Sequence, residues 1–219
     1  MGQGVGTAAA LAVQHSILPA QIASDTRLVQ DIRRRLRQDD AFLIGREEDS
    51  VGPIMRTAII TASSEQPGGD AVNVVSGQTR SVHGPCGVSP QRTTAGRHRW
   101  MSASGALPAW ICFAWDRPQS LQSIQLIFDT GMHRHLTLSH HDGYTSRMIW
   151  GRPQPETVRD YTVQISENGG WKTMCDVTGN YQRLRRHRLP AGTTTQALRL
   201  LVTSTNGLDH ARVFAVCLD

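Results

Sequence analysis

Residues 159–189 read RDYTVQISENGGWKTMCDVTGNYQRLRRHRL, and no other stretch limits the possible folds of this chain so tightly. Tyr161, Val163 and Ile165 alternate with Thr162, Gln164 and Ser166, the period of two that turns one set of side chains toward a core and the other toward water. Glu167-Asn168-Gly169-Gly170 then supplies residues that tolerate positive φ, and Trp171, Thr173 and Cys175 resume the alternation, which predicts a hairpin. A second break at Thr178-Gly179-Asn180 leads into a third strand that ends at Leu189. A ribbon of this size is marginal in water on its own, so a larger sheet must cover it.

The remainder of the chain from Thr57 supplies that sheet. Residues 57–62 (TAIITA), 108–115 (PAWICFAW), 121–128 (LQSIQLIF), 198–203 (LRLLVT) and 212–218 (RVFAVCL) are short β-runs separated by Gly, Pro, Asn or Ser. Short strands with turn chemistry between them and no interleaved helices predict a mainly β fold, an antiparallel β-sandwich of jelly-roll type. With aromatics at only 5%, the core must rest on Leu, Ile and Val. No apolar run approaches the length of a membrane-spanning helix.

The first part of the chain reads differently. MGQGVG at its start suggests a flexible glycine turn feeding the alanine-rich helix that follows, and exposed amides at such a helix start favour anions. Without a full GxGxxG fingerprint or a preceding strand, the glycines are better explained as permitting close packing of a small-residue helix. Residues 26–38 predict a further helix, since Leu28, Ile32 and Leu36 form one apolar stripe and Asp25 or Ser24 can cap its start. Arg33, Arg34, Arg35 and Arg37 complement its C-terminal dipole, so nucleic acid is not the expected partner despite a net charge of +5. Beyond Asp39 periodicity stops. The expected organisation is a helical arm (1–43), a linker (44–56) and the sandwich (57–219).

Cys86, Cys112, Cys175 and Cys217 are far apart, with no spacing typical of a zinc site, and read as small buried hydrophobes; a disulfide between some pair stays open. No Ser/His/Asp or Cys/His catalytic order can be argued from the sequence. Residues 130–156 form the longest polar insertion. There Tyr144 and Trp150 offer flat faces for sugar C–H groups while His135 and Arg152 can donate to hydroxyls; Trp150 as a plug of the sandwich end accounts for its presence equally well. His133 and His135 could share a face toward a transition metal, but without a carboxylate pattern no metal is expected. Arg183, Arg185, Arg186 and Arg188 make the strand before Leu189 basic, either as an anion-facing surface or as charges that block edge pairing.

Two resemblances attach to these segments. From Thr57 onward, TASSEQPGGDAVNVVSGQTR, RWMS at 99–102, the strand pair PAWICFAWDRPQSLQSIQLIFDT and ARVFAVCL resemble the galactose-binding-like sandwiches of the discoidin or coagulation-factor type C group. That resemblance implies glycan binding and a structural calcium in an early loop, for which Asp70 and Asn73 could give oxygens, with Ser76 where an acid would help. Gly2-Gln3-Gly4-Val5-Gly6-Thr7-Ala8-Ala9, with the continuation HSILPAQIASDTRLVQDIRRRLRQDDAFL, resembles the C-terminal end of an FAD-dependent oxidoreductase family, some of whose members carry a phrase similar to GNYQRLRRHRL. It implies that Gly2, Gln3, Gly6 and Thr7 once lay beside FAD. The strand-turn-helix that grips a dinucleotide is not in this sequence, so the chain alone is expected to hold no FAD and to be inactive, its partner being the missing flavin domain. The leading expectation is thus the C-terminal portion of such an oxidoreductase-like protein with a sandwich accessory domain. The alternative is an independent carbohydrate-binding module with a vestigial arm.

Overall fold

The computed structural model describes residues 2–41, 43, 52–80, 98–132 and 151–219. The chain divides into two compact units, Met1–Arg46 and Glu47–Asp219.

The first unit holds helices α1 (Gly2–His15), α2 (Pro19–Ser24) and α3 (Thr26–Gln38). Asp25 caps α3 by accepting from the amides of Arg27 (2.8 Å) and Leu28 (3.3 Å), and Pro19 opens α2 where a missing amide hydrogen costs nothing. Leu28 and Ile32 of the apolar stripe pack on Leu11, Ala12 and Ile22 in a small core. Arg35 ties α3 to α1 through Gln14 (3.3 Å) and pairs with Asp31 at 3.0 Å.

The expected glycine turn is a helix instead. α1 already runs from Gly2, so Gly2, Gly4 and Gly6 lie within it. A Cβ on Gly4 would sit 3.9 Å from Leu36 Cδ1, so this glycine helps α1 and α3 approach; Gly2 and Gly6 face open space, and nothing in the packing explains them. The following alanine run and the contact with α3 outweigh the helix penalty of the glycines.

The described residues of the second unit form a short helix α4 (Pro53–Arg56), a 3₁₀ turn at Ala71–Val75 and the strands β1 (Ile59–Ala62), β2 (Trp100–Met101), β3 (Ala109–Ser120), β4 (Ser123–Phe128), β5 (Val158–Glu167), β6 (Gly170–Val177), β7 (Leu184–Arg188), β8 (Thr194–Thr205) and β9 (Arg212–Leu218). They form two antiparallel sheets, β1-β3-β8-β5-β6 and β2-β9-β4-β7, the mainly β sandwich that the alternating pattern predicts. Ile111, Phe113, Tyr161, Val163, Leu198, Leu200 and Val202 of the first sheet meet Ile124, Leu126, Phe128, Val213 and Val216 of the second. Met55 of α4, within the stretch read as linker, is 1% exposed in the same core, and Trp115 donates to the Ile54 carbonyl at 2.9 Å.

The hairpin forms as its turn chemistry requires, with Asn168 at φ 51° and Gly169 at φ 79°. Two details differ from the simple alternation. The β5–β6 register shifts between Val163 and Gln164, so Trp171 and Thr173 stay on the outer face while Cys175 turns to pack against the core. The third strand, β7, does not extend this ribbon: it crosses to the edge of the other sheet and pairs with β4, because residues 178–183 are long enough to change layer.

Candidate functional site

Antiparallel pairing sends the connections β3–β4, β5–β6 and β7–β8 to one end of the sandwich. Among the described residues, those that follow β1, precede β3, follow β4, enter β5 and connect β6 to β7 and β8 to β9 gather at the opposite end. These longer connections are the ones able to recognise a ligand.

They are laced together by side-chain amides. Asn180, 2% exposed, donates to the carbonyls of Val158 (2.7 Å) and Gln182 (3.1 Å) and accepts from Gln182 N (3.2 Å) and Arg185 Nη1 (3.3 Å). Asn206 donates to the carbonyls of Thr157 (3.0 Å) and Asn180 (2.9 Å). A Cβ on Gly207 would come within 2.8 Å of Pro155 Cβ, so the β8–β9 turn presses against the segment that enters β5. On this frame the Tyr181 ring is held out to solvent, 65% exposed.

A charged network runs beneath. Ser104 donates to Asp209, whose other oxygen contacts His210 Nδ1 at 2.6 Å; Arg212 Nε donates to His210 Nε2 at 2.9 Å. Nε2 therefore accepts and Nδ1 carries the proton. The hydrogen bonds from Ser104 and His210 hold the Asp209 carboxyl down to about 2. Arg212 also lies 3.6 Å from Asp129, which pairs at 2.9 Å with Arg99 inside the protein, and Phe214 lies beneath the guanidiniums of Arg99 and Arg183. Burial pulls Arg99 below its ordinary value, with Asp129 opposing.

The network has the composition of a catalytic triad but not its order. Ser104 bonds the carboxylate rather than the imidazole, whose remaining nitrogen is taken by Arg212, so no base acts on the hydroxyl. A second nucleophile–histidine pair among the described residues, Cys175 Sγ to His187 Nδ1 at 3.2 Å, is held neutral, since burial pushes the thiol up and the imidazole down. Cys112, Cys175 and Cys217 are free thiols, and no cluster of three metal-ligating groups occurs among the described residues.

Of the residues singled out in sequence, His133, His135, Tyr144, Trp150 and Cys86 lie outside the described residues. Arg152 is exposed on the segment entering β5. Gly2, Gln3 and Gly6 are exposed on α1, and the Thr7 hydroxyl is turned back onto the Gln3 carbonyl at 3.0 Å. These four residues share a single helix, which offers a flavin one wall and no dinucleotide cradle, so they do not fit FAD by themselves. The early loop fits calcium no better. Asn73 Nδ2 donates to the carbonyls of Gly68 (3.2 Å) and Arg99 (3.1 Å), so an amide hydrogen faces oxygens that a cation would need, while Asp70 is exposed. Tyr181, Ser104, Asp209 and His210 were not anticipated. Ser104 and Asp209 are 105 positions apart, and the one local signal was an aromatic following Gly179-Asn180 in a turn.

A groove of about 490 Å³ also runs between α4, β1 and the 3₁₀ turn. Met55, Ala58, Ile60, Val72 and Val75 line it together with Arg56 and Ser76, and it carries no exposed aromatic face for a sugar ring to stack on.

By sequence the chain matches no protein-family model and no curated protein. Its structure is similar to the family 32 carbohydrate-binding module of Streptococcus pneumoniae EndoD (TM-score 0.51, 19% identity, 76% of this chain and 97% of that one). It is also similar to a Clostridium perfringens module of the same family in complex with GalNAc-β-1,3-galactose (0.51, 13%, 74% and 94%). A chitosan-binding module from Paenibacillus sp. IK-5 in complex with chitotriose gives 0.50 at 16%, covering 75% of this chain and 98% of that one. At such identities the likeness is one of fold: two antiparallel sheets in the galactose-binding-like arrangement.

Proposed function

We propose that this chain is a carbohydrate-binding module that takes its glycan at the loop end of the sandwich. The observation that carries the reading is Tyr181, a large aromatic face left 65% exposed on a turn whose backbone is pinned by the buried Asn180. A rigid ring of this kind stacks on sugar C–H groups with little entropy to lose on binding. Arg152, exposed on the segment entering β5, is a source of hydrogen bonds, and the sequence adds His135, Tyr144 and Trp150 as candidates for hydrogen bonding and further stacking. Solved neighbours bound to GalNAc-β-1,3-galactose and to chitotriose support a glycan as the partner.

This reading is preferred over that of a flavoprotein fragment, which rests on sequence resemblance of the arm and of the phrase GNYQRLRRHRL and has no structural neighbour behind it among those compared. In a glycan array, the full chain is expected to retain galactose-, GalNAc- or glucosamine-terminated oligosaccharides. Tyr181→Ala weakens the best of them by about tenfold without lowering the melting temperature, because the ring makes little of the fold. Failure of the chain to retain any glycan, or full affinity in both Tyr181→Ala and Trp150→Ala, ends the proposal.

A further inference from the structure

The outer face of the five-stranded sheet carries a second, separate arrangement. Its register places Thr61, Cys112, Arg199, Gln164 and Thr173 in one row across β1, β3, β8, β5 and β6, with Arg199 on the central strand. Arg199 is held from two sides. Its guanidinium carbon lies 4.3 Å from the centre of the Trp171 ring, and its Nε donates to Gln164 Oε1 at 2.6 Å. Gln164 is itself fixed, since its amide donates to Thr173 Oγ1 at 3.1 Å. The long side chain has therefore already given up its freedom before any ligand arrives.

What remains unused is the fork. Among the described residues Arg199 makes no ion pair, and its hydrogen bonding ends at Nε, so its two terminal nitrogens have no acceptor there. Its register partner on β3, Cys112, is small, and Ala197 two residues earlier on β8 pairs with Ala114, so no bulky side chain stands opposite Arg199 on that side. An arginine so fixed, with its terminal donors unused and no carboxylate paired to it among the described residues, matches a planar carboxylate in two-pronged fashion. The hydroxyl of Thr173 and the exposed edge of Trp171, 39% accessible, lie next to it as partners for a sugar ring.

We propose that this sheet face is a second glycan site, specific for a sugar that bears a carboxylate, with Arg199 as the anion-binding residue and Trp171 and Gln164 as positioning residues. The site stands apart from the loop end and from Tyr181, so either can fail without the other. The same chemistry is found in uronate chains and in terminal sialic acids, and the test separates them. Full-length protein is titrated calorimetrically with trigalacturonic acid, with 3′-sialyllactose and, as uncharged counterparts, with galactotriose and lactose.

One of the two acids is expected to bind more tightly than its neutral counterpart, with an affinity that falls as salt rises. Arg199→Gln should weaken that binding by roughly tenfold or more, and Arg199→Lys nearly as much, because lysine keeps the charge and loses the fork. Trp171→Ala should weaken it several-fold by freeing the guanidinium. Binding of neutral glycans is unchanged in Arg199→Gln, which also shows that the variant is folded. Binding of neither acid, equal binding of acid and neutral sugar, or an acid affinity that Arg199→Gln leaves intact overturns the proposal.

Discussion

Tyr161 is 1% exposed, yet its hydroxyl reaches His187 Nε2 at 2.8 Å, and the other ring nitrogen of His187 meets Cys175 Sγ at 3.2 Å. Tyr161 and Cys175 belong to one sheet and His187 to the other, so this short chain of neutral groups bridges the layers where β6 and β7 form their open edges. Burial, and after it the Arg185 charge, holds the His187 pKa below its ordinary 6.5. The folded state thus favours the neutral ring. Its contribution is complete above that value and is lost as the pH falls through the lower folded-state pKa. The urea midpoint of the native chain is expected to drop between about pH 7 and about pH 5, and to drop less in His187→Gln. Equal slopes would remove His187 from the account. None of this was legible in the sequence, where Tyr161, Cys175 and His187 are merely members of three strands. Their meeting depends on which sheet β7 joins and on the register shift that turns Cys175 inward.

Local chemistry spoke most clearly in the β5–β6 hairpin. Two adjacent positive-φ residues give the turn a twist that matches the strands on either side, and Asn168-Gly169 is the pair best able to supply them. Gly169 has nothing within 4 Å of where a Cβ would stand, so Gly169→Ala isolates the backbone cost from any clash. That substitution should destabilise the second unit by about 1–2 kcal/mol in chemical denaturation, while Gly169→Asn costs less. The basic residues near β7 also find their element: the strand lies on a sheet edge, where Arg186 spans to Gln125 at 2.7 Å and where charge discourages pairing with another chain. α1 shows the opposite case. Glycine spacing there suggested a turn, but neighbouring alanines and the packing partner α3 set the conformation, since propensity is a weak force beside burial.

Taken as a single molecule, the protein has, among its described residues, one cluster in the first unit built on Leu11, Ala12 and Ile22, and in the second a large core between the sheets with Met55 as its earliest member beside a small cluster of Ile127, Phe214 and Ala215; the first unit shares no core residue with the second. Residues 47–219 alone are therefore expected to melt in one cooperative transition at the temperature of the sandwich in the full chain, checked by calorimetry; a broad or strongly lowered transition would show that the arm is part of the fold. The mainly β architecture, the strands near 109–115, 123–128 and 212–218, the hairpin turn and the helix at 26–38 were all readable from the linear chain, because each rests on side-chain periodicity or turn chemistry within a few neighbours. The partition of strands between sheets, the gathering of Ser104, Asn180, Asn206 and Asp209 at one end, and the row that holds Arg199 above Gln164 were not. They arise from hydrogen bonds and buried contacts between residues tens to a hundred positions apart, and a chain carries no local mark of a partner it meets only after the layers have closed.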